Sequence, residues 1–173
     1  MVDYDRKLYR ESWGRNRQCI IDIHGNIEVS KGDLLFVDKS NGLRSQGAST
    51  ADWYGYPFSK LSGSTVTLAS NRNLAATNFL GVAAWHSDSG VTEKLAVHVG
   101  GLFLFGLKNV RTLKVGQQVI PAGSGVTLYN QKVTTSVSGS SDHVGLVARG
   151  GSFQSVVEFS LLTLFSGNTN LIT

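Results

Sequence analysis

The sequence predicts an all-β protein: a compact β-barrel or β-sandwich body built from two similar half-units, with an extended N-terminal arm. Short β-rich segments recur in the same order in both halves of the chain. Twenty Gly and only two Pro are typical of an ordered chain with many tight turns. A length of 173 residues with 41% hydrophobic residues fits a single domain with a real core.

Three segments of the first half recur in the second half. GDLLFV at 32–37 is echoed by GQQVIP at 116–121, FLGVAA at 79–84 by VGLVA at 144–148, and KLAVHV at 94–99 by VVEFSL at 156–161. Each segment is short and is bounded by Gly, Ser, Asn or Asp. We therefore interpret the repeated unit as a few strands with a variable loop, present twice in one β domain at 19–165.

Residues 1–18 are interpreted as an N-terminal arm, and residues 166–173 as a polar C-terminal tail. The spacing of the arm's aromatic residues fits neither a sheet face nor a long helical face. Exposed aromatics among charges suit docking onto another protein, because they offer a large contact area with few rotors to freeze. Equally, the segment folds back on its own body; both interpretations stay open.

Residues 38–64 are predicted to form an elaborated loop, because they are rich in Ser, Gly, Asn and Asp. The loop contains the aromatic run WYGYPF at 53–58. One interpretation is a platform that binds sugar or protein through Trp53, Tyr54 and Tyr56. The other is a small core that pins the loop down.

The region between this loop and the second half-unit is predicted to be mostly strands. TVTLA at 65–69 alternates like a strand, 74–77 is a brief turn, and Gly100 with Gly101 breaks KLAVHVGGLFLF into two strands. His98 alternates with Val97 and Val99, which predicts that its side chain faces solvent or a neighbouring subunit.

The sequence contains no evident catalytic, cofactor or metal motif. The four histidines have none of the close spacings that zinc sites use, and His86 with Asp88 is interpreted as a solvated turn pair. There is no Gly-x-Ser-x-Gly elbow, and the glycines match neither nucleotide-binding fingerprint. We expect a protein that is not an enzyme and needs no cofactor and no metal.

The net charge of +4 does not by itself predict nucleic-acid binding. Five cations lie in the arm, and the other eleven Lys and Arg are scattered singly, so we expect no basic stripe and no nucleic-acid partner. No apolar run is long enough for a membrane helix and no signal peptide is evident, so we expect synthesis in the cytoplasm and no membrane partner. The single Cys19 predicts a small buried side chain.

The order of these segments resembles that of the capsid decoration (cement) proteins of tailed bacteriophages. The resemblance covers residues 30–164 and rests on GDLLFV, FLGVAAWHSDSG, KLAVHVGGLFLF, VGQQVIPAG, GVTLYNQKVTTS, HVGLVARGG and VVEFSLLT. In that family a similar alternation of small residues and apolar strands builds a compact β-barrel or β-sandwich. Residues 1–18 and 38–64 depart from the scheme and would be elaborations.

The resemblance implies a protein that binds the outer surface of the assembled head, commonly as a homotrimer, and bridges neighbouring major capsid subunits. The implied localisation is the outer capsid surface of the virion, after synthesis in the host cytoplasm. We assign capsid contact by hypothesis to the arm, at Tyr4, Tyr9, Arg10, Trp13 and Arg15. Deleting residues 1–18 is expected to leave the body folded and abolish capsid binding. The alternative is a β-sandwich carbohydrate- or receptor-binding module of a phage particle, with WYGYPF as its sugar-stacking platform.

Overall fold

The computed structural model describes the backbone of residues 10–11 and all atoms of residues 17–23, 25–37, 54–61, 67–91, 94–136 and 141–165. In chain order the elements are β1 (Arg10–Glu11), β2 (Gln18–Ile23), β3 (Leu34–Val37), β4 (Tyr54–Pro57), a 3-10 helix (Phe58–Lys60), α1 (Leu68–Thr77), β5 (Phe79–Ala83), β6 (Lys94–His98), β7 (Leu102–Leu113), β8 (Gln118–Ser124), β9 (Thr127–Thr135), β10 (Gly145–Val147) and β11 (Gly151–Leu161). The all-β prediction is confirmed. Within these ranges no helix is long and apolar enough to cross a membrane.

The strands close into two five-stranded barrels. The first barrel has the ring order β2-β4-β3-β5-β6, and β6 returns to pair with β2. The second barrel has the ring order β7-β9-β8-β10-β11, and β11 returns to pair with β7. Strand β1 lies outside both rings and pairs with β7, with Arg10 opposite Leu104. Closing each ring removes the free sheet edges that a small open sheet would expose.

The two barrels have the same topology. The single parallel pair of each ring occupies the same place, β2 with β4 in the first barrel and β7 with β9 in the second. The register agrees as well, because Ile20 lies opposite Ala96 as Leu104 lies opposite Glu158. The predicted pair of similar half-units is therefore confirmed: β3, β5 and β6 carry one set of echoed segments, and β8, β10 and β11 carry the other.

Equivalent glycines start the echoed strands. Gly32 and Gly116 both have a positive φ, 92° and 80°, which glycine adopts without steric cost. The amide of Gly32 donates to the carbonyl of Ala83 at 2.9 Å, and the amide of Gly116 donates to that of Val147 at the same distance. These bonds tie β3 to β5 and β8 to β10, so the glycine at the head of each echoed segment sets the register of its barrel.

Strands β3 and β5 are buried on both faces. Leu35 and Val37 point into the first barrel with Leu80, whereas Leu34 and Phe36 join the core that continues into the second barrel. A strand packed on both sides needs apolar residues at consecutive positions rather than alternate ones. This explains why LLFV and FLGVA are unbroken apolar runs.

A shared core and buried hydrogen bonds join the barrels. The larger core cluster contains Phe36 and Phe79 from the first barrel together with Phe105 and Phe159 from the second. At the end of β11, the Oγ1 of Thr163 donates to the carbonyl of Val99 at 2.7 Å in a fully buried position. The two barrels therefore pack as one body.

Helix α1 corrects the prediction of a strand at 65–69 and a turn at 74–77. The Oγ1 of Thr67 accepts a hydrogen bond from the amide of Ser70, which is the N-cap arrangement, and residues 68–77 follow as a helix. Asn71 and Arg72 then donate to the carbonyls of Val126 and Pro121 in the second barrel, at 2.6 Å and 2.9 Å. The alternation of TVTLA suggested a strand, but packing against the second barrel favours the helix.

Strand β4 corrects the C-terminal part of the predicted loop at 38–64. Residues 54–57 pair with both β2 and β3, so they are a structural strand of the first barrel. Residues 38–53 and 62–66 lie outside the described ranges, as does the predicted tail at 166–173. Within the predicted arm, Arg10 and Glu11 pair with β7, which matches the interpretation that the segment folds back, and Gln18 already belongs to β2.

Candidate partner-binding surfaces

The structure describes few of the side chains predicted to contact a partner. Tyr4, Tyr9, Trp13, Arg15 and Trp53 lie outside the described residues, and Arg10 is described by its backbone pairing alone. Their proposed roles stay predictions.

The aromatic run after Trp53 belongs to the protein core. Tyr56 and Phe58 are buried, and the rings of both pack against Phe36, with centroids 5.7 Å and 6.5 Å from it. Tyr54 is half-buried against the same core. Of the two interpretations of WYGYPF, the structure favours the small core, because Tyr56 is not exposed to stack on a sugar ring.

The histidines that the structure describes fully do not converge on a chemical centre. His86 and Asp88 form an exposed pair, Nε2 to Oδ1 at 3.1 Å, as the turn prediction implies. His98 corrects the solvent-facing prediction: its side chain does point opposite to Val97, but that face packs on Phe103 of the second barrel, with ring centroids 5.5 Å apart. In the described ranges no group of three or more His, Cys, Asp or Glu is placed to hold a metal ion.

Cys19 lies on β2 with a half-buried side chain. Burial raises the pKa of its thiol, because desolvation disfavours the thiolate, and a backbone hydrogen bond opposes this only partly. The thiol is therefore a poor nucleophile at neutral pH.

The first barrel carries a shallow cleft around Trp85, which we call the Trp85 cleft. Its volume is about 280 Å³, and it is lined by Ile20, Trp85, His86, Ser87, Lys94, Leu95 and Ala96. Trp85 is 66% exposed and Ile20 is 71% exposed, so two large apolar side chains meet water in one place. Exposed apolar side chains that line a cleft are typical of a binding surface.

Two polar features accompany this cleft. The Nζ of Lys31 lies 5.5 Å from the centre of the Trp85 ring, a cation–π contact that holds the indole in place. Ser87 is 4% exposed, and its buried Oγ has no hydrogen-bond partner among the described atoms. A buried hydroxyl without a partner costs about 1–3 kcal/mol.

The second barrel carries an exposed ribbon where β7 and β11 run on past the buried core. We call residues 108–116 and 148–155 the β7–β11 ribbon. Residues 108–112 are exposed, and Arg111 lies opposite Gln154 in the ladder. The ribbon has four cations and no acidic residue: Lys108, Arg111, Lys114 and Arg149. Pairing of β7 with β11 places these four cations on one ribbon, which their separate positions in the sequence did not indicate.

Phe153 is the most exposed large apolar residue described in the chain, at 85%, and it lies on this ribbon with the exposed Val110 and Val115. Its φ is 54°, and it is the one described residue other than glycine with a positive φ. The register of β11 shifts on both sides of Gln154, which places Phe153 in a bulge. An aromatic residue in the left-handed region is a genuine outlier, and such strain concentrates at functional positions.

Sequence reasoning missed both surfaces. Trp85 ends the apolar run FLGVAAW, and such a run is typical of a buried strand rather than of an exposed cleft. Phe153 follows two glycines at 150–151, and this was the one local signal of irregular backbone.

Comparisons with known proteins add one structural similarity. No protein-family model matches the chain, and no curated protein matches it significantly. Among solved structures, the chain is similar to the crystal structure of the N base of head fiber gp8.5 in bacteriophage phi29, with 14% sequence identity and a TM-score of 0.44. The match covers 84% of this chain and 95% of that chain. A TM-score below 0.5 does not establish a shared fold or function.

Proposed function

We propose that this protein is a bacteriophage capsid decoration protein, which binds the outer surface of the assembled head and stabilises it by bridging neighbouring major capsid subunits. The sequence resemblance to cement proteins supports this proposal. The protein acts through its outer surfaces and performs no catalysis.

The observation that carries the proposal is that one body presents two separate exposed apolar surfaces, one on each barrel. The first barrel presents Trp85 and Ile20, and the second presents Phe153, Val110 and Val115. A bridging protein needs two attachment surfaces held at a fixed separation, and the shared core provides that. Two linked contacts also bind more tightly than either alone, because the second forms at a high effective concentration.

Stabilisation of the head follows from mass action. A protein that binds the assembled lattice and not the free subunits lowers the free energy of the lattice by an amount that grows with concentration over Kd. On the head we propose a homotrimer, which would multiply the number of linked contacts. The barrels are closed, so the trimer would form through side-chain surfaces rather than through sheet edges.

The test is co-sedimentation of the purified full-length chain with assembled heads of the phage that encodes it, prepared without this protein. We expect saturable binding with a fixed number of copies per head, no binding to free capsid subunits, and heads that resist heating better when occupied. Heads that sediment without the protein at saturating concentration would reject the proposal. The trimer would be rejected if the free protein sedimented with the mass of one chain, 18.6 kDa, and if heads bound it as single, separate chains.

The arm hypothesis is tested by deleting residues 1–9, which leaves strand β1 in place. If Tyr4 and Tyr9 contact the capsid, the shortened chain keeps its unfolding temperature and binds heads more weakly. Equal occupancy by the shortened chain and the full chain would remove these two tyrosines from the contact.

A second candidate function is carbohydrate binding, and the Trp85 cleft specifically favours it. An exposed indole can stack on the apolar face of a sugar ring, and Lys94 and His86 can bond to sugar hydroxyls. This site replaces WYGYPF, whose described aromatics are in the core.

Trp85→Ala separates the two functions when glycan and head binding are measured side by side. Loss of binding on a glycan array with unchanged head binding would assign the cleft to sugar, and the reverse result would assign it to the capsid. Tyr56→Phe, a buried change, is the matched control and is expected to alter neither.

A further inference from the structure

The strained backbone at Phe153 sets the direction in which its Cα–Cβ bond leaves the ribbon. Its φ of 54° costs the folded chain free energy that glycine would not cost at the same position. The turn around it is held in place, because the Nε2 of Gln154 donates to the carbonyl of Ser152 at 2.8 Å. An 85% exposed phenyl ring has little contact with its own protein to offset this cost. Backbone strain of this kind is concentrated at functional positions, and a contact with another molecule would offset it.

The electrostatics of the β7–β11 ribbon identify the kind of surface that benefits. The described donors of Lys108 and Arg111 bond to the main-chain carbonyls of Gly123 and Thr135, which carry no net charge. Their positive charges, and those of Lys114 and Arg149, therefore remain available to a partner. A complementary surface is acidic at its rim and apolar where it receives Phe153, Val110 and Val115.

A folded protein fits this description better than nucleic acid or membrane. Phosphate groups would use the cations but leave three apolar side chains in water. An anionic membrane would use both the cations and the apolar side chains. One aromatic ring and two valines, however, bury less apolar surface than a single acyl chain, and a single acyl chain gives only marginal membrane binding. The backbone fixes the direction of the Cα–Cβ bond of Phe153. This gains nothing at a fluid surface, whereas it favours insertion of the ring into a shaped pocket.

We propose that the β7–β11 ribbon is the capsid-docking element, and that Phe153 inserts into an apolar pocket rimmed by acidic side chains on the capsid surface. This inference rests on the proposed function and names the chemistry of the partner surface. Phe153 is the anchor of the contact, and the four cations steer and orient it.

The test compares Phe153→Gly with Phe153→Ala in the full-length chain. Both remove the phenyl ring, but only glycine relieves the backbone strain, so we expect Phe153→Gly to unfold roughly 2–4 °C above Phe153→Ala. Both are expected to bind assembled heads at least about tenfold more weakly than the original chain, as anchor residues do. Stability and binding then change independently, which separates an anchor from a structural role. Val126→Ala, an exposed apolar change outside both surfaces, is the control, and we expect it to bind heads like the original chain.

A second experiment tests the cations with the double variant Lys114→Gln and Arg149→Gln. We expect weaker head binding at about 0.1 M salt and a smaller difference from the original chain at about 0.5 M salt, because added salt screens the missing charges. If this variant lost binding while both Phe153 variants bound normally, the role of Phe153 as the anchor would be rejected.

The remaining outcomes distinguish this inference from the proposed function. If the original chain binds heads and both Phe153 variants bind equally well, the ribbon is not the docking element, although the decoration function stands. If the original chain does not bind heads at all, the proposed function fails and the capsid pocket fails with it. Binding to duplex DNA or to phosphatidylserine vesicles that Phe153→Gly abolishes would assign the ribbon to that other partner and overturn the proposal.

Discussion

The two barrels share a topology but present different outer surfaces. In the first barrel, Ile20 lies opposite Ala96 and close to Trp85; the equivalent positions of the second barrel are Leu104, Glu158 and Arg149. The amide of Ala84 donates to the carbonyl of Ala96, and that of Ala148 to the carbonyl of Glu158, which establishes the equivalence. The row is therefore apolar on the first barrel, whereas on the second barrel it combines Leu104 with the charged Glu158 and Arg149.

This difference indicates what the duplicated fold constrains. Ring order and register depend on inward side chains, turn glycines and ladder hydrogen bonds, and these agree between the barrels. Outward side chains change at little cost to stability, so the two surfaces are free to diverge. One barrel has an apolar cleft and the other a basic ribbon, as expected of a body that contacts two different surfaces.

The largest effect is expected where both barrels need a glycine in the second strand of the echoed set, β5 and β10. In Gly81→Ala, the new Cβ overlaps the carbonyl oxygen of His98 in a backbone conformation with φ of 151°. Strain of about 1–3 kcal/mol and overpacking of about 1–3 kcal/mol add in the free energy of unfolding. Gly145→Ala, whose Cβ overlaps Phe159 and the carbonyl oxygen of Ser160, is expected to cost the overpacking alone.

The control for this pair is Gly90→Ala, which has a positive φ but no atom within 4 Å of the new Cβ. Urea unfolding of the three variants should rank Gly81→Ala as the least stable. An equal loss for Gly81→Ala and Gly90→Ala would contradict the close approach of β5 and β6.

The connection between the barrels is tested next by Thr163→Val. The change keeps the side-chain shape and leaves the buried carbonyl of Val99 without its Thr163 donor, which is expected to cost about 1–3 kcal/mol of unfolding free energy. Thr127→Val, at an exposed position of β9, is the matched control with no expected loss. If thermal unfolding of Thr163→Val showed two separate transitions, the barrels would be independent units and the single-body interpretation would be wrong.

A smaller effect is expected at helix α1, which lies between β4 and β5. Thr67→Ala removes the side-chain acceptor for the amide of Ser70 and is expected to lower stability by about 1 kcal/mol. Thr67→Ser keeps the hydroxyl and should behave like the original chain. Helix content and unfolding temperature, measured by circular dichroism, check both variants, and equal stability of Ala and Ser at this position would contradict the cap.

The smallest effect on stability is expected when a residue of the first barrel's row, Ile20, Ala96 and Trp85, is replaced by its equivalent from the second barrel. Trp85→Arg introduces the residue type found at the equivalent position 149, and an exposed change of this kind stays within about 0.5 kcal/mol. A loss above about 2 kcal/mol would show that Trp85 supports the fold and that the two outer surfaces did not diverge freely.

The sequence predicted the repeat, the six strands of the echoed segments and the start of β7, because these depend on short-range patterns. Glycine at the head of GDLLFV and GQQVIP marks the same turn in both halves, and apolar residues identify β3, β5, β6, β8, β10 and β11. The equivalences of β2 with β7 and of β4 with β9 were not found, since QCIIDI and LFLFGL share no local signature. The candidate site was not predicted: of the loop residues Trp53, Tyr54 and Tyr56, the last is in the core.

By itself, then, the sequence determined that the chain is all-β and internally duplicated, because strand alternation and turn glycines act over a few residues. Tertiary structure alone decided that each half closes into a ring, that His98 is covered by the second barrel, and that four cations separated in the sequence lie on the same ribbon as Phe153. The reason is that burial and proximity depend on which surfaces pack together, and residues far apart in the chain share a surface only after the barrels have formed.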